Sequence, residues 1–172
     1  LRDLLYGLML RSGNDAAVAI AEYISGDVDS FAALMNQEAA AMGATRSHFV
    51  NPNGLPDENH YTCVYDMYLI FSNAVKNDTF VSIIGTTSYD VTYTDASGEA
   101  VTHTWENTNQ YLTGNATTPD GFQIVGGKTG TTGEAGYCLV LYSYNPSGQP
   151  IISIVFKADG KSNLYLLMNE ML

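Results

Sequence analysis

Apolar residues recur at helical spacing through the first half of the chain. Residues 3–10, from Asp3-Leu4-Leu5 to Leu10, read as one helix. Ala16, Ala17, Ile20, Tyr23 and Ile24 place a second over 15–24, and Phe31, Leu34, Met35, Glu38 and Met42 step through a third over 30–42. Gly43 stands where a glycine past the last turn ends a helix. Pro52, Asn53-Gly54 and Pro56 exclude a long helix from 44–61 and predict an ordered loop. Thr62 is the expected N-cap of a fourth helix over 63–76. Asn77-Asp78 ends it before a short helical turn at 79–84.

From Thr86 the period falls to two. Tyr89, Val91 and Tyr93 alternate with polar residues, Ala96-Ser97-Gly98-Glu99 turns the chain, and Val101, His103 and Trp105 return as the second arm of a hairpin. After a polar stretch over 107–121, Phe122-Gln123-Ile124-Val125 leads into Gly126-Gly127-Lys128-Thr129-Gly130. The runs Tyr137–Tyr144 and Ile151–Phe156, joined by Asn145-Pro146-Ser147-Gly148, predict an antiparallel pair, and a closing helix is expected over 162–171. The expected fold is α+β in a single domain over 1–172. Its helical part covers about 1–85 and packs on an antiparallel sheet over about 86–160.

Composition narrows the function classes. The chain has 172 residues, 45% of them apolar, which is enough for one core. With 18 acidic against 7 basic side chains and a net charge of -11, it offers no basic stripe for nucleic acid or an anionic membrane. No run approaches the roughly 20 apolar residues of a membrane span. Leu1 stands in place of Met and opens on a helix already under way, which reads as a chain cut from a longer precursor, so the lack of a targeting segment decides nothing. Cys63 and Cys138 are expected as buried thiols. His48, His60 and His103 are scattered, and no metal or other cofactor is expected.

Two short motifs carry the candidate chemistry. Ser12-Gly13-Asn14 lies between two predicted helices, where Ser12 or Asn14 could simply cap the second helix while Gly13 lets the chain turn. The alternative is a hydroxyl and an amide held at a rigid junction facing a cleft. Lys128-Thr129-Gly130 does not make a phosphate-binding loop. Gly121 and Gly126 have the interval, but Gly127 occupies the lysine position, and Gly130, Gly133 and Gly136 oppose the helix that should follow. The segment reads either as a glycine-rich edge strand with a solvated lysine or as a strand against which a peptide backbone can lie.

Together the motifs give S-x-N followed by K-T-G. With them stand Asp3–Met9, Met42-Gly43, His48–Leu55, His60-Tyr61-Thr62, Tyr65-Asp66, Asn107-Thr108-Asn109 and Ala135-Gly136-Tyr137. In that order they resemble the D-alanyl-D-alanine carboxypeptidases, the low-molecular-mass penicillin-binding serine peptidases. The resemblance implies a partial serine β-lactamase or penicillin-binding transpeptidase-like fold. It also implies catalytic roles for Ser12, Asn14 and Lys128, and substrate binding by Thr129, Gly130 and Thr131. Ser12 would relay a proton, Asn14 would bind the substrate amide, Lys128 and Thr129 would hold a terminal carboxylate, and the Thr131 N–H would face an oxyanion. His48, His60, Asp66 and Asn109 are expected to hold loops by hydrogen bonding.

The family nucleophile lies in S-x-x-K. Here the residues three before Lys76, Lys128, Lys157 and Lys161 are Asn73, Val125, Ile154 and Ala158, so the motif is absent from these residues. Gly126 stands where the family often has an acid. Implied partners are the peptidoglycan stem peptide and β-lactams, at a bacterial location outside the cytoplasmic membrane. Any membrane association would come through segments outside this chain, and self-association of the fragment is expected. Two other readings stay open. One is a non-catalytic wall-binding module. The other is a β-lactamase, although no Glu followed at the right spacing by Leu-Asn is found.

Overall fold

The computed structural model describes all 172 residues. Helices α1 (Arg2–Arg11), α2 (Asn14–Ser25), α3 (Val28–Ala41), α4 (Val64–Ala74) and α5 (Asp78–Ile84) precede strands β1 (Ser88–Thr94) and β2 (Ala100–Glu106). Strands β3 (Gln123–Thr132), β4 (Gly136–Tyr144) and β5 (Pro150–Ala158) follow, and α6 (Lys161–Met171) closes the chain. The strands form two antiparallel sheets, a β1-β2 hairpin and a sheet of order β3-β4-β5.

Period-two burial on the central strand sets the layers. Leu139 and Leu141 of β4 pack with Val155, Leu164, Tyr165 and Met168 under α6, while Val140 joins Ile154, Phe71 and Ile84 under α4 and α5. A third cluster, Tyr6, Leu10 and Ile83 with Tyr89 and Trp105 against it, wedges α1 between α5 and the hairpin. The Tyr6 and Tyr89 rings stack at 3.8 Å. This packing brings the C-terminal end of α1 beside the edge strand β3.

Caps explain several boundaries. Asp27 accepts from the Ser30 N–H at 2.7 Å to open α3, and Asn77 accepts from the Thr79 and Phe80 N–H groups to open α5. Gly43, at φ 84°, ends α3 as expected. Ala44 N–H bonds Ala39 O at 2.9 Å and Gly43 N–H bonds Ala40 O at 3.0 Å.

Four local expectations are corrected. Cys63, not Thr62, is the N-cap of α4, because the Thr62 hydroxyl is engaged by Ser47 Oγ at 2.8 Å. Gly13, not Ser12 or Asn14, is the N-cap of α2, and no side chain bonds the cap. The left-handed residue at that junction is Ser12 rather than Gly13, which is extended. Cys63 and Cys138 are free but only half-buried, one at a helix start and the other at the β4-β5 register shift.

The glycines before Lys128 answer to packing. A Cβ on Gly126 would lie 2.5 Å from Ile84 O, and one on Gly127 would lie 2.3 Å from Val140 O. Helix α5 and strand β4 therefore press directly on the β3 backbone, and no side chain fits at either position. Gly126→Ala is expected to destabilise the fold by about 1–3 kcal/mol, since the atoms its Cβ would meet, on Ile84 and Gly85, are backbone that cannot swing aside. Urea unfolding checks this, and an unchanged midpoint would contradict it.

Candidate active site

Ser12 ends α1 in the left-handed region, with φ 56° and ψ 42°. A non-glycine residue there carries about 1–2 kcal/mol of local strain. The surrounding structure holds it: the Gly13 N–H reaches back to Gly7 O at 3.2 Å, and α2 starts one residue later. The hydroxyl is thereby fixed at the junction between two helices, facing β3.

Lys128 on β3 meets it. The Lys128 ammonium donates to Ser12 Oγ and, at 2.7 Å, to Thr129 O. Burial pulls the lysine down from 10.5 to about 8, so it is mainly the cation at neutral pH and both acceptors face its positive charge. Thr129 in turn shares a hydrogen bond with the Thr108 hydroxyl at 2.5 Å.

Thr108 belongs to a segment that ties three elements together. Its N–H bonds Leu10 O of α1 at 3.2 Å. Asn107 Nδ2 donates to Thr86 O at 2.9 Å, and Asn107 Oδ1 accepts from the Asn109 N–H. Asn107 and Asn109 are buried. The Asn-Thr-Asn block thus sets the spacing between the end of α1 and β3, and with it the Ser12–Lys128 contact.

A cavity of about 260 Å³ opens beside that contact. Ser12, Thr108, Thr129, Gly130 and Thr131 line one side, and Tyr137, Leu164 and Tyr165 form an apolar wall. Arg11 and Lys161 also line it, and no carboxylate does. A Cβ on Gly130 would find only Cys138 Cβ, at 3.9 Å, so the strand surface is open where a bound chain would pass.

Of the residues expected from sequence, the structure brings together Ser12, Lys128, Thr129, Gly130 and Thr131. Asn14, the first residue of α2, is exposed and does not line the cavity. Sequence reasoning missed Thr108, Arg11 and Lys161. Thr108 had been noticed only as part of a block, and nothing in the spacing of Lys161 signals its place on the cavity that Ser12 lines.

The loop residues do hold loops. Asp66, 1% exposed, accepts from the Arg46 N–H at 2.6 Å and from Ser47 Oγ at 2.8 Å. Burial alone would raise its carboxyl, yet the Ser47 and Arg46 bonds outweigh that and leave it below the ordinary 3.8. His48 and Tyr61 exchange backbone hydrogen bonds, and His60 Nδ1 accepts from the Val50 N–H. The 44–63 loop is therefore fastened to α4.

Comparison with known proteins fits this geometry. The family model described as D-alanyl-D-alanine carboxypeptidase, peptidase S11, matches residues 1–160. The carboxypeptidase DacF of Bacillus subtilis is 36% identical over 159 residues, which is 92% of this chain and 38% of the relative. The carboxypeptidase of Streptomyces sp. strain K15 is 37% identical over 161 residues, 90% of this chain and 53% of the relative. The chain thus spans between about two fifths and about half of the length of these relatives. The crystal structure of the Streptomyces K15 DD-transpeptidase superposes with a TM-score of 0.82 at 32% identity, covering 99% of this chain and 68% of that one. DacD of Francisella tularensis gives 0.84 at 27% identity, covering 99% and 50%. A family match over residues 1–160, with an S-x-N serine on a K-T-G lysine at its centre, places this chain in the D-alanyl-D-alanine carboxypeptidase family, peptidase S11.

Proposed function

We propose that these residues form the leaving-group side of a serine-type D-Ala-D-Ala carboxypeptidase site, acting on peptidoglycan stem peptides and binding β-lactams outside the cytoplasmic membrane. The observation that carries this reading is the Lys128 ammonium on Ser12 Oγ at the rim of a cavity without carboxylates. The attacking hydroxyl belongs to the S-x-x-K motif that the resemblance implies and these residues do not contain.

The geometry supports a division of labour. Because Ser12 Oγ accepts from Lys128, its own proton is free to point toward the leaving nitrogen. As the peptide bond breaks, Ser12 gives that proton to the departing D-alanine amine and takes up the one released by the nucleophile. The nearby cation steadies the hydroxyl oxygen during the exchange. Thr108 orients the Thr129 hydroxyl, which can donate to the substrate carboxylate, and the Thr131 N–H, on the strand that lines the cavity, is assigned to the developing oxyanion. Asn14, exposed on the first turn of α2, is assigned to the substrate's amide side.

The pH dependence follows from Lys128. Below about 8 it is a cation able to attract a carboxylate, and it loses that charge as pH rises through about 8. In the natural-length protein, KM for an acyl-D-Ala-D-Ala peptide is expected to rise above that pH. D-alanine release followed from pH 6 to 10 checks this, and a KM flat across the range would remove Lys128 from carboxylate binding. The stability contribution has the opposite sense. The buried cation weakens the fold below about 8, and the penalty fades as pH climbs toward 10.5.

A further inference from the structure

Two histidines fasten the 44–63 loop with the same ring nitrogen used in opposite senses. His48 Nδ1 lies 2.6 Å from Asn59 O, and a carbonyl oxygen only accepts, so this nitrogen carries a proton. His60 Nδ1 accepts the Val50 N–H at 3.1 Å, so it carries none, and the neutral ring keeps its proton on Nε2. Acid therefore acts differently on the two. A further proton on His48 goes to Nε2 and leaves the bond to Asn59 in place. A further proton on His60 can go only to Nδ1, where it meets the Val50 N–H, donor against donor.

The rest of the loop decides what that break releases. Its neck is closed by reciprocal backbone bonds between His48 and Tyr61, at 2.8 and 2.9 Å, and Asn36 of α3 clasps the carbonyl and N–H of Phe49 at 2.7 and 2.8 Å. Beyond the neck, Asn51 bonds the Gly54 N–H and Leu55 O, and Asp57 bonds the Asn59 N–H, all within the tip. Two hydrogen bonds then tie the tip across the loop, His48 to Asn59 and Val50 to His60, and only the second is broken by a proton. We propose that His60 is a pH-sensitive latch, which when neutral pins the 50–60 tip through Val50 and when protonated frees the tip while the neck stays closed. The half-buried ring stands edge-on to Phe49, with centroids 5.6 Å apart. Burial holds its pKa below the ordinary 6.5, His48 adds to the effect and Asp57 opposes it. Of the neighbouring helices, α3 brings Glu38 to the groove that Phe49 also lines, and the α4 carboxylate Asp66 is already engaged by the Arg46 N–H and Ser47 Oγ. The latch is thus shut at neutral pH and opens below 6.5. It lies outside the Ser12–Lys128 cleft and does not depend on the peptidase reading.

The test follows backbone amide exchange, corrected for its intrinsic pH dependence, in the natural-length protein labelled with nitrogen-15 valine. Between pH 7.5 and 4.5 the protection of the Val50 amide is expected to fall at least about tenfold, in step with the His60 ring signals, while Val140 on the central strand β4 keeps its protection. His60→Asn puts an acceptor that does not titrate in place of Nδ1, so the fall should vanish. His48→Asn keeps a donor toward Asn59 O, so the fall should remain. Protection at Val50 that is unchanged down to pH 4.5, a fall as large in His60→Asn, a fall lost in His48→Asn, or an equal fall at Val140 would each overturn the latch.

Discussion

Lys128→Ala in the natural-length protein is expected to lower D-alanine release from an acyl-D-Ala-D-Ala peptide by about 10² to 10³ in kcat/KM. Three losses combine. Ser12 loses the donor that turns its lone pair inward, the Thr129 carbonyl loses its partner at 2.7 Å, and the site loses the buried cation beside Ser12. The fold should survive, since removing a buried ammonium also removes the burial cost that pulls its pKa to about 8. Steady-state kinetics beside a thermal unfolding scan separate the two effects. Near-normal turnover with intact folding would show that the Ser12 contact is incidental.

A polypeptide of these 172 residues alone is expected to take no covalent label from a fluorescent penicillin. The reason is chemical. An acyl-enzyme needs a serine activated by a lysine one helical turn away, and none of Lys76, Lys128, Lys157 and Lys161 has a Ser three residues before it. Ser12 is not a substitute, because its oxygen accepts from an ammonium rather than facing a free base. What remains of a site that acts as a unit gives only a small residue of its rate. A stoichiometric label mapped to Ser12 would overturn this assignment and make Ser12 the nucleophile.

Much of the fold was legible because burial follows period. The alternation through Leu139, Val140 and Leu141 names two buried faces, and those faces are the ones that pack. The helical steps through α3 located the helix but not its packing, since Phe31, Leu34, Met35 and Met42 are only half-buried, Glu38 is exposed, and the buried residues are Ala32 and Ala39. Junctions were less legible. Whether Thr62 or Cys63 caps α4 depends on the Ser47 hydroxyl that claims Thr62, a partner 15 residues away that no local pattern reveals. The left-handed turn fell on Ser12 instead of Gly13 because α1 and α2 are both fixed by packing, and the residue between them takes the conformation that is left.

The site divides in the same way. Lys128-Thr129-Gly130 stood out as small residues around one lysine in a strand, while Ser12 gained a role only through the S-x-N and K-T-G resemblance. The glycines around that lysine differ in their roles in the fold: Gly126 and Gly127 admit α5 and β4 backbone, and of the three only Gly130 leaves room for a ligand. Thr108 and Lys161 reach the cavity through tertiary contacts alone, so composition and spacing carried no trace of them.

Ser12 and Lys128, joined by a hydrogen bond, are expected to act as one device. A double-mutant cycle measures it, with second-order labelling by fluorescent penicillin compared across the unmodified natural-length protein, Ser12→Ala, Lys128→Ala and the double variant. The account predicts that either single change slows labelling nearly as much as both together, because each removes the same relay. Effects that multiply independently would contradict it.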